Sequence, residues 1–232
     1  MFCVLTHWSL RTFLDAEWLE GEDGLSEWWS VATYLAAAGA AGAASWMLRA
    51  TKHNRLQYFY LALAIVFFLG GMEEISWGQR IFDWGTPAAI KEVNFQDETT
   101  LHNVNFANNV VFEMLFWGSA LGLAGGIWRL TANFHGLSDR MRLVLPSLTM
   151  APALLLILIW RTGELWRTAN IPRLIMDHFN SGPRGSEVPE ALLGLCLIIY
   201  TFTNLQKARY LRLLMTRPIN QECLGELSKE HP

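Results

Sequence analysis

The stretch that decides the fold is residues 28–48, WWSVATYLAAAGAAGAASWML, which contains no charged side chain. A helix that crosses the hydrocarbon core of a bilayer, about 30 Å thick, needs roughly 20 apolar residues. This stretch meets that requirement and predicts a transmembrane helix. Four similar segments follow it, and the predicted helices cover 28–48, 58–78, 106–128, 143–161 and 188–206.

The composition of the whole chain agrees with this prediction. Of its 232 residues 52% are hydrophobic and 17% charged, whereas soluble domains contain about 25% charged residues. The net charge of −3 argues against a nucleic-acid partner. We therefore expect an all-α, polytopic integral membrane protein whose partner is the lipid bilayer. One transmembrane domain covers residues 1–217, and a cytoplasmic tail covers 218–232.

Prolines and cysteines add local expectations. Pro146 falls in the first turn of the fourth segment, and Pro152 predicts a kink within it. Thr86 as a cap and Pro87 at a first helical position predict a short interfacial helix over residues 88–93. The three cysteines have no CxxC or zinc-site spacing, so a thiolate metal site is not indicated.

Orientation follows from the basic residues of alternate loops. Eleven of the 18 Lys and Arg residues fall on the side that holds the C-terminal tail, which the positive-inside rule makes cytoplasmic. The N-terminus is then outside. Sixteen of the 21 acidic residues fall on that outer side, several of them at helix ends.

A polar stripe leads into the third segment. Glu98, His102, Phe106, Asn109 and Glu113 are spaced so that one continuous helix would place all of them on one face. The opposite face carries a doubled GxxxG pattern, which allows close approach of a second helix. We expect segment one or a second copy of the chain there, at Gly118, Gly122 and Gly126.

The second segment ends in another polar group. Helical spacing continued past this segment places Glu73, Ser76, Trp77 and Arg80 on a common face, with Glu74 about 100° away. Because the outer ends of all five segments meet, we predict a polar site there. Its remaining members are Gln79, Asn109, Glu113, Glu164 and Glu190. Structural pairing with Arg80, Arg161 and Arg167 is the alternative explanation.

Two kinds of chemistry suit these residues. Glu98 and His102, four residues apart, could bind a divalent metal, the candidate cofactor. Without a metal, Glu73 or Glu74 could act as a general base, with His102 as acid or base. Ser76 is a weaker candidate nucleophile, because a serine at such a position more often forms a structural hydrogen bond.

Part of the first half of the chain resembles an uncharacterised family of bacterial multi-pass membrane proteins. The residues that carry the resemblance are EEISWGQR at 73–80, NxQxExxLHN at 94–103 and EDGLxEW at 22–28. The resemblance implies a protein of the bacterial inner membrane and implies no activity.

Three functions remain open from the sequence. The first is a membrane-embedded hydrolase or transferase that acts on a lipid-linked substrate. The second is a proton- or cation-coupled carrier, for which Glu113 is the natural relay at membrane depth. The third is a non-catalytic subunit that docks through the glycine face of segment three.

Overall fold

The structure is a computed structural model that describes residues 25–51, 54–92, 99–100, 105–133, 136, 138–168 and 187–216. All regular structure within these ranges is helical. The elements are α1 (Leu25–Leu48), α2 (Asn54–Glu74), α3 (Gln79–Phe82), α4 (Ala88–Lys91), α5 (Asn105–Asn133), α6 (Asp139–Val144), α7 (Ala151–Thr168) and α8 (Glu187–Thr216), with 3-10 turns at Ser76–Gly78 and Leu148–Met150.

Four segments of the described chain are long and apolar enough to cross a membrane. They are Glu27–Leu48, Asn54–Glu74, Arg140–Thr162 and Pro189–Met215. The expected all-α, polytopic membrane fold is confirmed. Helix α5 has 29 residues and is about 43 Å long, and it packs against α7 in the same bundle. That α5 also crosses the membrane stays a prediction.

The surface of α2 has the character expected of a helix in lipid. Several of its large apolar side chains are between 42% and 54% exposed, namely Leu61, Ile65, Val66, Phe68 and Leu69. In water such a contiguous apolar surface would be costly, whereas hydrocarbon tails solvate it.

Helix α1 joins two neighbouring helices of the bundle. It packs against α2 on one side and α8 on the other, α8 also contacts α7, and α7 contacts α5. The contact face of α1 consists of small residues, and Ala37, Ala41 and Ala44 are fully buried there. Because an alanine side chain ends at Cβ, the neighbouring backbones approach closely, as transmembrane packing requires.

Glycine contacts show which surface of α5 is covered. An added Cβ at Gly122 would lie 3.2 Å from Leu154 Cδ1, and one at Gly126 would lie 3.4 Å from Leu148 Cδ2. The prediction that segment one packs here is therefore wrong, because residues 148–154 of the same chain cover Gly122 and Gly126. At Gly118 an added Cβ would meet nothing within 4 Å. Of the three glycines proposed as an oligomer face, Gly118 is the one that the described residues leave open.

The fourth segment differs from its predicted course over 143–161. The break falls at Pro146, and Pro152 lies in the first turn of α7. Proline has no N–H to donate and disfavours helical geometry in the residue before it. Leu145 accordingly takes an extended conformation, with φ −74° and ψ 133°.

Several other predicted bounds change. Helix α2 ends at Glu74 rather than at 78. Helices α5, α7 and α8 continue to Asn133, Thr168 and Thr216 rather than ending at 128, 161 and 206. The extension of α8 is packed, because Ala208 is fully buried and Arg212 Nη1 lies 3.2 Å from Met47 Sδ. The predicted helix over 88–93 is shorter, and Pro87 rather than Thr86 is its N-cap residue.

Candidate functional site

Glu74 at the end of α2 and Glu190 at the start of α8 both lie near Tyr34 of α1. The hydroxyl of Tyr34 lies within the electrostatic influence of both carboxylates. Helix α1 contacts both of the helices that carry them, which explains how residues 116 positions apart in sequence lie near the same tyrosine. Both glutamates are half-buried. The sequence placed Glu74 and Glu190 on one side of the molecule, and Tyr34 is the member it missed.

A turn with unusual backbone geometry follows directly after Glu73 and Glu74. Ser76, Trp77 and Gly78 have φ values of 50°, 56° and 88°, all in the left-handed region. Side chains beyond glycine rarely adopt this region, and each such residue costs about 1–3 kcal/mol. The expected common helical face of Glu73, Ser76 and Arg80 is therefore wrong, because the right-handed helix ends before Ser76.

Side chains hold this turn in place. Trp77 Nε1 donates to Glu73 Oε1 at 2.5 Å, which closes the turn back onto the end of α2. Ser76 is fully buried, and Thr100 is only 1% exposed. A buried serine in the left-handed region requires surroundings that fix its conformation, and a turn of this kind is typical of binding and catalytic sites.

Gln79 connects the turn that follows α2 with two other segments of the chain. Its Nε2 donates to Thr86 Oγ1 at 2.9 Å, and its Oε1 accepts from both the N–H and the hydroxyl of Thr99 at 2.7 Å. One amide thus ties the turn to the loop before α4 and to the segment that leads toward α5. The sequence named Gln79 as a polar member of the site without indicating this role.

The polar stripe of the sequence is interrupted at these contacts. Thr99 and Thr100 are not helical, so the helix expected to carry the stripe is not continuous through these two residues. The shared metal site predicted for Glu98 and His102 stays a prediction. Both residues lie outside the described part of the chain. Among the described side chains no group of three His, Cys, Asp or Glu residues could hold a metal.

Glu113 has partners on two helices. Arg161 Nη2 of α7 lies 3.6 Å from Glu113 Oε1, and Trp117 Nε1 donates to Glu113 Oε2 at 3.1 Å. The arginine side chain is 15% exposed and the glutamate 57%. The structural interpretation of the sequence named Arg161 as a pairing cation without assigning it to a particular acid.

Three further predicted members have side chains that the structure does not describe. The backbones of Arg80, Asn109 and Glu164 belong to α3, α5 and α7. Their side-chain contacts lie outside the described part of the molecule, so their membership of the site stays a prediction.

A second polar centre, which the sequence did not predict, lies at the opposite end of the bundle. The chain unwinds around Pro146, so the last carbonyls of α6 lack helical donors. Side chains from α2, α5 and α8 supply them. Tyr60 donates to Leu143 O, Tyr200 to Val144 O at 2.8 Å, Arg129 Nη1 to Leu145 O at 3.1 Å and Lys207 Nζ to Arg142 O at 3.1 Å.

One sequence signal could have located this second centre. A proline inside an apolar segment frees backbone carbonyls, and within a membrane these must find donors in the protein. Four side chains that can donate lie toward the same side of the bundle, namely Tyr60, Arg129, Tyr200 and Lys207. Which of them reach the carbonyls depends on helix packing, which the sequence does not specify.

Comparison of this chain with protein-family models, with curated proteins and with solved structures found no match.

Proposed function

We propose that this multi-pass membrane protein is an enzyme whose site lies at the outer helix ends, around Glu74, Tyr34 and Glu190. The observation that carries the proposal is the left-handed turn Ser76–Gly78, which directly follows the two glutamates of α2. Strained backbone of this kind persists where the surrounding contacts enforce it, and such positions cluster at active sites.

The reaction class follows from the groups present. Glu74 would take a proton from an attacking water or hydroxyl, and the Tyr34 O–H would donate a hydrogen bond to the oxygen that gains negative charge. His102 remains a further acid or base of this proposal. Hydrolysis of, or transfer from, a lipid-linked substrate fits a site at the end of membrane-spanning helices, where a headgroup lies next to its acyl chains.

The cellular placement is part of the same proposal. We place the protein in the inner membrane of a bacterium, with the N-terminus outside and the C-terminus in the cytoplasm. The Lys and Arg distribution and the resemblance of residues 73–80 and 94–103 support this placement. Reporter fusions after Thr216 would test it, since a cytoplasmic reporter should be active there and an export-dependent one inactive.

A substrate screen with matched variants tests the activity. The full chain, reconstituted in lipid nanodiscs, would be incubated with phospholipids and polyprenyl phosphates that carry labelled headgroups. Released water-soluble product is measured by mass spectrometry. We expect Glu74→Gln to lower turnover by about 100-fold or more, the usual contribution of a general base.

Glu92→Gln is the control for that screen. Glu92 is an exposed glutamate that follows α4 on the same side of the molecule, so its removal changes the charge of the surface and not the site. Equal turnover by the Glu74→Gln and Glu92→Gln variants would contradict the assignment. Thermal unfolding of both variants separates loss of chemistry from loss of fold.

The carrier hypothesis has weaker support. A proton relay requires a carboxylate that can change its charge during transport, whereas Glu113 faces the guanidinium of Arg161. The ion pair favours a structural role for Glu113 at the junction of α5 and α7.

A further inference from the structure

A groove lies at the end of the bundle opposite to the carboxylates, between α5, the segment around Pro146 and α8. Glu190 and Lys207, both on α8, are separated by about 25 Å of helix, so this groove is distinct from the proposed active site. Its walls are formed by Arg129, Ser147, Met150, Ile199, Tyr200, Thr203 and Asn204.

Three cations from three elements converge beside this groove. Lys207 lies within the electrostatic influence of both Arg129 and Arg142. Among the described side chains no carboxylate lies within ion-pair distance of Arg129, Arg142 or Lys207. Like charges repel one another, so an anion bound beside all three would lower the electrostatic energy of the folded protein.

The internal hydrogen bonds of these cations leave donors available. Lys207 Nζ donates to Asn204 Oδ1 at 2.8 Å and to the Arg142 carbonyl at 3.1 Å, which leaves one of its three N–H groups. Within the described structure Arg129 uses a single bond, to Leu145 O, out of five N–H groups. The guanidinium of Arg142 is exposed. These hydrogen bonds orient Lys207 and Arg129 and leave some of their N–H groups available to a ligand.

The groove is too shallow to enclose an acyl chain, so its walls offer contacts to a headgroup at the surface. Ser147 and Thr203 add hydroxyl groups to its wall, while Met150 and Ile199 are apolar. Basic pockets between transmembrane helices are typical binding sites for anionic lipid headgroups. Arginine suits this role because its planar fork of donors matches phosphate oxygens.

We propose that Arg129, Arg142 and Lys207 bind a phosphate mono- or diester at the mouth of this groove. An anionic phospholipid headgroup and a free phosphate compound share this chemistry. The site does not depend on the function proposed for the opposite end of the bundle.

Lipid titration of the purified full-length chain tests the proposal. The delipidated protein in neutral detergent is titrated with phosphatidylglycerol, phosphatidic acid and, as the zwitterionic reference, phosphatidylcholine, and bound lipid is counted by native mass spectrometry. We expect preferential binding of the two anionic lipids. Removal of one cation, in Arg129→Gln or Arg142→Gln, should weaken that binding about fivefold.

Arg209→Gln is the matched control, because Arg209 is an exposed arginine of α8 two residues beyond Lys207. Its affinity should match the unaltered chain. Arg142→Gln preserves the backbone carbonyl that Lys207 binds, so it reports on the site even if Arg129→Gln fails to fold. Inorganic phosphate that displaces the anionic lipids at millimolar concentration would identify a free phosphate compound as the ligand, and no displacement would identify the lipid.

Two outcomes would overturn the proposal. One is equal affinity for phosphatidylglycerol, phosphatidic acid and phosphatidylcholine. The other is an Arg142→Gln variant that binds anionic lipid as tightly as Arg209→Gln does.

Discussion

Gly194 of α8 faces Thr33 of α1 so closely that no side chain fits between them. An added Cβ at Gly194 would lie 2.1 Å from Thr33 Oγ1 and 3.0 Å from Thr33 Cβ. Thr33 is itself held in place, because its hydroxyl donates to Ser30 O at 2.9 Å. This contact sets the spacing of the two helices that carry Tyr34 and Glu190.

Gly194→Ala should therefore destabilise the bundle. Forcing a methyl group into this contact is expected to cost about 1–3 kcal/mol, since either the helices separate or Thr33 changes its rotamer. Thermal unfolding in detergent, followed by circular dichroism, measures the change. Gly39→Ala is the control, because an added Cβ there meets nothing within 4 Å. A Gly194→Ala variant as stable as the control would show that α1 and α8 pack more loosely than the structure indicates.

Tyr200→Phe should weaken the centre around Pro146. The substitution removes the donor of the 2.8 Å bond to Val144 O and keeps the ring. Leaving a backbone carbonyl without a partner typically costs about 1–3 kcal/mol. Equilibrium unfolding in detergent is the appropriate measurement, with Tyr210→Phe as reference because Tyr210 is 63% exposed. Equal stability of the two variants would mean that another donor replaces Tyr200.

Gly78→Ala should strain the turn that follows Glu74. Gly78 has φ 88°, and an L side chain in the left-handed region costs about 1–2 kcal/mol. The new methyl group would also lie 3.2 Å from Phe82 Cδ2. We expect lower thermal stability together with lower turnover in the substrate screen. Gly85→Ala, with nothing near its added Cβ, should change neither quantity, and the same result for Gly78 would contradict a fixed turn.

The pair Glu113–Arg161 should contribute little to stability. Its atoms are 3.6 Å apart and the glutamate is 57% exposed, which is typical of ion pairs with a coupling energy below about 1 kcal/mol. A double-mutant cycle of Glu113→Gln and Arg161→Gln measures this coupling in unfolding experiments. A coupling of several kcal/mol would instead indicate a dry, buried pair and would revive a role for Glu113 in transport.

The helical segments could be predicted from the sequence wherever a long apolar run decided them, although α5, α7 and α8 continue five to ten residues beyond their predicted ends. The predicted and observed ends of α1 agree at Leu48, because an uncharged run stops there at Arg49. Predictions failed where backbone chemistry competes with apolar content. At Pro146 the missing N–H breaks the helix, and at Ser76 the chain turns left-handed although its composition favours continuation.

For the candidate site, the sequence identified residue types and one side of the molecule. Glu74 and Glu190 were both predicted, because Glu74 stands at the end of one apolar segment and Glu190 at the start of another, on the same side of the predicted topology. Tyr34 escaped notice, since a tyrosine inside an apolar run carries no signal of its own. The role of Gln79 could not be predicted either, because it depends on where Thr86 and Thr99 lie in space.

The sequence by itself determined that this is a polytopic helical membrane protein and where its first helix ends. Membrane insertion depends on apolar content summed over about 20 neighbouring residues, which is a local property. Only the tertiary structure decided that Thr33 contacts Gly194 and that Arg129 and Lys207 donate hydrogen bonds to the carbonyls near Pro146. These contacts join residues far apart in the chain, and close packing between helices, rather than hydrophobicity, selects them.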